Sequence, residues 1–433
     1  FLCAQNAYGL EPFEIHDRPA VQEDIAKDAQ DEKLKILPES LYGPLSLNNL
    51  YARPEGKIPY IEAGYYNGYQ LKDDRVLGMT YEEAKALDYY PPVIAAPNAL
   101  LVTNDGKELF ARGIDVKTPI ASLTKIASLL TAMRKDIPLD TEFVVSENAV
   151  KVTGNVMGYK AGERYTFREI AQAMLVHSGN DAAIVLAENI SGSVEAYADE
   201  MNTMALELGC VDSQFKTPHG LDTPGHYSTI RDMLTMTRAL MEYPFIRDTL
   251  KRPQITLSIS GKDEVYDSTN RLMASYEGAQ GVKTGFTLKA GFCLMSYVER
   301  DGLGLYSCVL GTDNREARIQ ESKDLLNWGF SLFPKTLVIQ KDTVLVQHHY
   351  PYHPLLVLQS SSTQDLYSRS PYMGSDLRVT VDPIYVLDTN YIGKAGAKIE
   401  LISRNGIKRV VYVPIESIST LGRREDIPQK RLR

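Results

Sequence analysis

The sequence predicts an α+β fold, with helices packed on a largely antiparallel sheet, followed along the chain by a small all-β domain. Three observations predict it. Strand-like segments open and close the patterned part of the chain, near residues 99–111 and 254–310. Helical periodicity fills the stretch between them, and it ends after about Pro334, where short alternating segments take over. Strands, then helices, then strands is the order of helices lying on a sheet whose first and last strands meet. The 433 residues exceed the needs of one ordinary domain. We divide them into an N-terminal extension (1–90), a main domain (91–335) and a β-rich C-terminal domain (336–433).

Taken in order, residues 8 to about 90 are rich in Tyr, Pro and Gly, with Tyr65, Tyr66, Tyr69, Tyr89 and Tyr90 close together. A lid or docking segment is one reading, and an irregular layer wrapping the main domain is the favoured one. Ala99–Thr103 is a buried strand, Asn104-Asp105-Gly106-Lys107 a turn, and Glu108–Ala111 the return strand. A helix runs from Ser122 to Arg134 with Ile126, Leu129, Leu130 and Met133 on one face. A helical region follows over 167–208, then helices near 229–242 and 315–327. Strands are expected at Gln254–Ile259, Phe292–Tyr297 and Leu305–Leu310, and later at Leu377–Val381, Ile384–Leu387, Lys398–Ile402 and Ile407–Val413. Asn405-Gly406 makes the last two a hairpin.

Composition sets limits on function. Hydrophobic residues make up 44% and charged residues 24%, which suits a globular core. A net charge of −8 argues against a nucleic-acid partner. No run of about 18 apolar residues occurs. One reading of Phe1–Ala7 is the end of a secretory signal, with Ala7 at the cleavage site. The four cysteines (Cys3, Cys210, Cys293, Cys308) form no short metal-type pair. Cys293 and Cys308 fall on neighbouring strands, where a disulfide is possible, but unpaired buried thiols are the favoured reading. His348, His349 and His353 lack the spacing of a metal site and read as a surface loop, so no metal or cofactor is expected.

Three short motifs carry the chemistry: Ser122-Leu123-Thr124-Lys125, Ser178-Gly179-Asn180 and Lys283-Thr284-Gly285. Ser122 and Lys125, three apart at a helix start, share one face. A serine hydroxyl needs a base, and a lysine serves only if burial or a neighbouring cation lowers its pKa. Lys283 is the candidate cation. The helix N-terminus favours an oxyanion beside Ser122. Gly285 leaves room for a substrate backbone along its strand. Alone the first motif is weak, since Ser213-Gln214-Phe215-Lys216 repeats its spacing in what reads as a loop or strand. The ordered set is specific.

With these residues in view, the chain resembles the low-molecular-mass penicillin-binding proteins of the 5 and 6 type, the serine D-alanyl-D-alanine carboxypeptidases. Thr153-Gly154-Asn155, His219-Gly220-Leu221-Asp222, Phe286-Thr287 with Ala290-Gly291, and Leu325–Phe330 extend the likeness over roughly 95–335. The resemblance implies a β-lactamase/transpeptidase-like domain. It implies Ser122 as acylated nucleophile, Lys125 as proton acceptor and Ser178 as proton relay. Asn180 would hold the substrate amide, and Lys283 and Thr284 the terminal carboxylate, beside Gly285. The N–H groups of Ser122 and Phe286 would form the oxyanion hole. The implied partners are peptidoglycan stem peptides and β-lactams, and the implied place is the bacterial envelope after export.

Phe286 departs from the histidine some members carry, and the tail Leu421–Arg433 does not read as a membrane-binding amphipathic helix. A class A β-lactamase would need a Glu-x-x-Leu-Asn pentad, which is absent. A D,D-endopeptidase, or a non-turnover scaffold docking through the β-domain, are the other readings. His177 reads as a packing residue at a helix end rather than a general base, and His219 as a loop residue in preference to one that shapes the site.

Overall fold

A computed structural model describes residues 74–333, 335–340 and, beyond them, the strands Val344–His349, Leu356–Ser361, Leu366–Ser368, Arg378–Pro383, Gly396–Ile402, Lys408–Pro414 and Ser417–Thr420. Two compact units divide the chain. Among the described residues one holds 74–300 and 304–332, and the other holds Asp301–Leu303 with the residues from Phe333 onward.

The first unit is built on a seven-stranded sheet. Its strands are β1 (Arg75–Val76), β2 (Met79–Thr80), β3 (Asn98–Thr103), β4 (Glu108–Arg112), β9 (Ala279–Thr287), β10 (Gly291–Arg300) and β11 (Leu303–Thr312), in the order β2-β1-β4-β3-β11-β10-β9. Three hairpins, β5 (Glu142–Val144) with β6 (Arg164–Thr166), β7 (Gln254–Ile259) with β8 (Lys262–Asp267), and β9 with β10, are antiparallel. The early and late strands meet as expected: β3 pairs antiparallel with β11, Cys308 opposite Leu100. All six residues of β3 are buried, as a strand covered on both faces requires. Arg75–Val76, from the segment read as an extension, adds to this sheet beside β4. Arg112 clamps that segment with a buried pair to Asp74 at 2.7 Å.

Between β4 and β9 lie the helices α1 (Thr124–Met133), α2 (Asn180–Ser191), α3 (Val194–Glu207) and α4 (Ile230–Met241), and α5 (Arg315–Ser331) follows β11. Capping sets several starts. Ser193, Thr229 and Asn314 each accept an N–H from the residue three places on, at Ala196, Asp232 and Ala317. The helical region expected over 167–208 is interrupted. Helix Phe167–Gln172 passes into a π turn, Ala173–His177, and Ser178 then adopts a left-handed conformation (φ 71°, ψ 33°) before α2 begins. Widened turns of this kind recur at functional sites, and here the break falls on the second motif. Ser213 bonds Ser228 and Asp232 in a loop and has no part in the cleft described below.

Cys293 and Cys308 are free, buried thiols. No described helix is long and apolar enough to cross a membrane. In the second unit, Arg378–Pro383, Gly396–Ile402 and Lys408–Pro414 form one antiparallel sheet, close to three of the expected strands, whereas His348 and His349, expected in a loop, end the strand Val344–His349, which pairs with Leu356–Ser361. The expected strand Ile384–Leu387, the turn Asn405-Gly406, Cys3, His353, the extension before Asp74 and the tail from Leu421 lie outside the described residues.

Candidate active site

Ser122 occupies a 3-10 turn, Ala121–Leu123, that runs straight into α1. One turn further on, Lys125 is fully buried. Its Nζ lies 3.0 Å from Ser122 Oγ and donates to Asn180 Oδ1 at 2.8 Å and to the His219 carbonyl at 3.1 Å. Three acceptors therefore surround three protons. Burial lowers the Lys125 pKa to about 7, against the opposing pull of Asp181. As the free amine it keeps two protons for Asn180 and His219 and turns its lone pair to the Ser122 hydroxyl, which is the arrangement of a general base.

The second motif faces the first from the head of α2. Asn180 bridges, its Oδ1 on Lys125 and its Nδ2 donating to the Thr153 carbonyl at 2.8 Å. Ser178, nearly buried, lines the same cleft. His177 packs its ring against Tyr266 with centroids 4.8 Å apart, as a helix-end packing residue should.

The third motif lies on β9, the end strand of the sheet. Lys283 is buried behind it and donates to the Thr284 carbonyl at 3.1 Å. Its pKa is pushed well down, by burial first and then by Lys125 and Arg318. Burial thus acts on both lysines, and repulsion between the two ammonium groups registers at Lys283. Thr284 Oγ1 donates to Thr269 Oγ1 at 2.8 Å. A Cβ on Gly285 would stand 3.0 Å from Ala121 Cβ and from the Ile120 carbonyl, so any side chain there would push β9 and the Ser122 turn apart by a few tenths of an ångström. Phe286 is half exposed, its ring 4.2 Å from that of Phe292. Together Ser122, Ser178, Asn180, Thr284, Gly285 and Phe286 line one open cleft of about 980 Å³.

Four further residues went unassigned in the sequence. Asp181 accepts from Met157, Gly158 and Ala182 N–H groups at 2.8–3.0 Å, fixing the 153–158 loop to α2. Asp222 ties the His219–Asp222 loop to the end of β9 through Thr287 Oγ1 at 2.6 Å. His226 is buried beside Thr124. Arg318 reaches from α5 to the Gly285 carbonyl at 3.0 Å, and burial chiefly lowers its pKa to about 10. A signal existed for Arg318: it shares the helical spacing of the buried Ser322, Leu325 and Leu326, where a cation is out of place unless it has work inside.

A half-buried serine beside a fully buried lysine, a bridging asparagine and the end strand of the sheet meet in one cleft on a β-lactamase/transpeptidase-like fold. Residues 85–314 match the family described as D-alanyl-D-alanine carboxypeptidase, and the chain belongs to that family. It is 32% identical over 244 residues to the D-alanyl-D-alanine carboxypeptidase DacF of Bacillus subtilis (strain 168), covering 55% of this chain and 63% of that one. It is 33% identical over 267 residues to DacC of Escherichia coli (strain K12), covering 59% and 66%. These matches span less than two thirds of either relative. Among solved structures it is similar to the Streptomyces K15 DD-transpeptidase, with a TM-score of 0.54, 26% identity, and 56% and 99% of the two chains covered. The DacD carboxypeptidase of Francisella tularensis, with a TM-score of 0.55 and 24% identity, covers 76% and 95% and shares the fold.

Proposed function

We propose that this protein is a serine D-alanyl-D-alanine carboxypeptidase. It removes the terminal D-alanine from peptidoglycan stem peptides in the bacterial envelope, after export, and β-lactams acylate it. The observation that carries this reading is the buried Lys125 amine, 3.0 Å from Ser122 Oγ with its pKa lowered to about 7. The catalytic domain is taken as 91–335 and the β-rich domain as 336–433.

Lys125 takes the Ser122 proton as Oγ bonds to the carbonyl carbon of the penultimate D-alanine. The oxyanion rests on the N–H groups of Ser122 and Phe286. Ser178 passes a proton to the departing nitrogen as the C–N bond breaks, and water then hydrolyses the ester. Asn180 holds the substrate amide, beside Gly285. Lys283 and Thr284 receive the terminal carboxylate, and an arriving anion raises the pKa of the buried Lys283 and so restores its charge.

The test compares a D-alanyl-D-alanine peptide with its C-terminal amide. A charge-assisted hydrogen bond contributes roughly 1.5–3 kcal/mol, so kcat/KM for the acid should exceed the amide by about ten- to hundredfold. Thr284→Val should narrow that gap, and Ser122→Ala should abolish both turnover and labelling by fluorescent penicillin. Equal rates for acid and amide would favour an endopeptidase acting inside cross-links.

A further inference from the structure

We propose that His226 is a positioning residue for the nucleophile: through the Thr124 hydroxyl it fixes the Ala121 carbonyl, and with it the direction of Ser122. The inference goes beyond the reading above and rests on it only for the identity of the nucleophile.

His226 does not line the cleft. It lies behind the Ser122 turn, 4% exposed, bordering a small recess with Ala121 and Gly220. Its proton positions follow from its partners. Nδ1 lies 3.1 Å from the Lys216 backbone N–H, a donor only, so Nδ1 is an acceptor and carries no proton. Nε2 of the neutral ring then holds the proton and donates to Thr124 Oγ1 at 2.8 Å. The Thr124 hydroxyl, with one lone pair engaged, gives its own proton to the Ala121 carbonyl at 2.8 Å. Every hydrogen in this chain of three groups has one direction.

The ring is itself gripped. Phe215 meets it edge-on with centroids 5.8 Å apart. Asn202 holds the Phe215 backbone on both sides, accepting from its N–H at 2.7 Å and donating to its carbonyl at 2.9 Å. The far end needs such holding. Ala121 has a φ of +47°, in the left-handed region that residues with a side chain seldom adopt. Gly220 presses on the same carbonyl: a Cβ there would stand 2.0 Å from Ala121 O and 2.5 Å from Thr124 Oγ1. The Ala121–Ser122 peptide is therefore an unfavourable conformation kept in place by its neighbours. Its orientation decides where the Ser122 N–H points and whether Oγ meets Lys125. Strain of this kind is stored where geometry serves function.

Acylation by a fluorescent penicillin measures the effect, with the initial binding constant and the acylation rate separated. Small misplacements of a reacting atom reach about a hundredfold. His226→Leu and Thr124→Val should each slow acylation about ten- to hundredfold while the binding constant moves less than about threefold. Thr124→Ser keeps the hydroxyl and should recover most of the loss. The double variant should be no slower than the slower single one, because both cut the same chain. Folded single variants that acylate at the wild-type rate, or losses that multiply in the double variant, overturn the proposal. If His226→Leu does not fold, the Thr124→Val and Thr124→Ser pair decides. A wild-type protein that no penicillin labels would sink the carboxypeptidase reading, and this inference with it. Labelled wild type with indifferent variants sinks the inference alone.

Discussion

A lysine amine is a base only in its unprotonated form. With the Lys125 pKa lowered to about 7 by burial, that form appears as pH rises through neutrality. Penicillin acylation should therefore climb with pH up to about 7 and then level, and Lys125→Arg should be inactive throughout. Measuring acylation from pH 5.5 to 9 tests this; a flat or falling profile would exclude Lys125 as the base. The nearby histidines do not supply the limb. Burial, followed by repulsion from Lys125, holds His219 at about 3, and burial with Lys216 holds His226 at about 4, so both stay neutral over that range. His177 is also lowered by burial, and His177→Gln should leave the position of the limb unchanged.

Three elements converge on the cleft, and loops tie them together. Asp181 at the head of α2 is the main tie, since its carboxylate gathers the Met157 and Gly158 N–H groups. Asp181→Asn should weaken that tie by about 1–3 kcal/mol, seen as a lower melting temperature. It should also remove the anion that raises the Lys125 pKa, so the acylation limb moves to lower pH; a limb moving upward would show that the sign is wrong. Much of this level was legible in the sequence. Strand Gln254–Ile259 stands where it was expected, and α1, α4 and α5 begin within two residues of their expected starts, because apolar period and capping are local signals. The three motifs could be read because their spacing is local. Hairpin strands β5 and β8 gave little signal: β8 is exposed and charged along most of its length, with no buried face to set a period. His226 and Asp222 could not be assigned from spacing. Their partners, Thr124 and Thr287, lie 102 and 65 residues away. The π turn at Ala173–His177 shows no periodicity break in its apolar residues, so a continuous helix was the natural reading.

For the molecule as a whole, two fully buried lysines are a liability in the folded state. Between pH 7 and 10.5 the unfolded chain binds a proton at Lys125 that the folded chain resists, so stability falls as pH drops through that window. Lys125→Met, close in shape and uncharged, should therefore melt no lower than wild type at pH 7, although it cannot be acylated. A melting temperature more than about 4 °C lower, roughly 1 kcal/mol or more for a domain of this size, would mean the amine stabilises the fold. The place of β9 at the end of the sheet has another consequence, for solubility. An end strand offers unpaired N–H and C=O groups to any other strand, and proteins commonly blunt such edges with charge, proline or a bulge. Along Gly281–Gly285 the chain is buried instead of blunted. Its residues are withdrawn from solvent as far as Phe286, which is half exposed. Burial of this stretch should therefore hinder strand-to-strand pairing between copies through β9; a dimer in solution that is lost on placing a charge along β9 would contradict this.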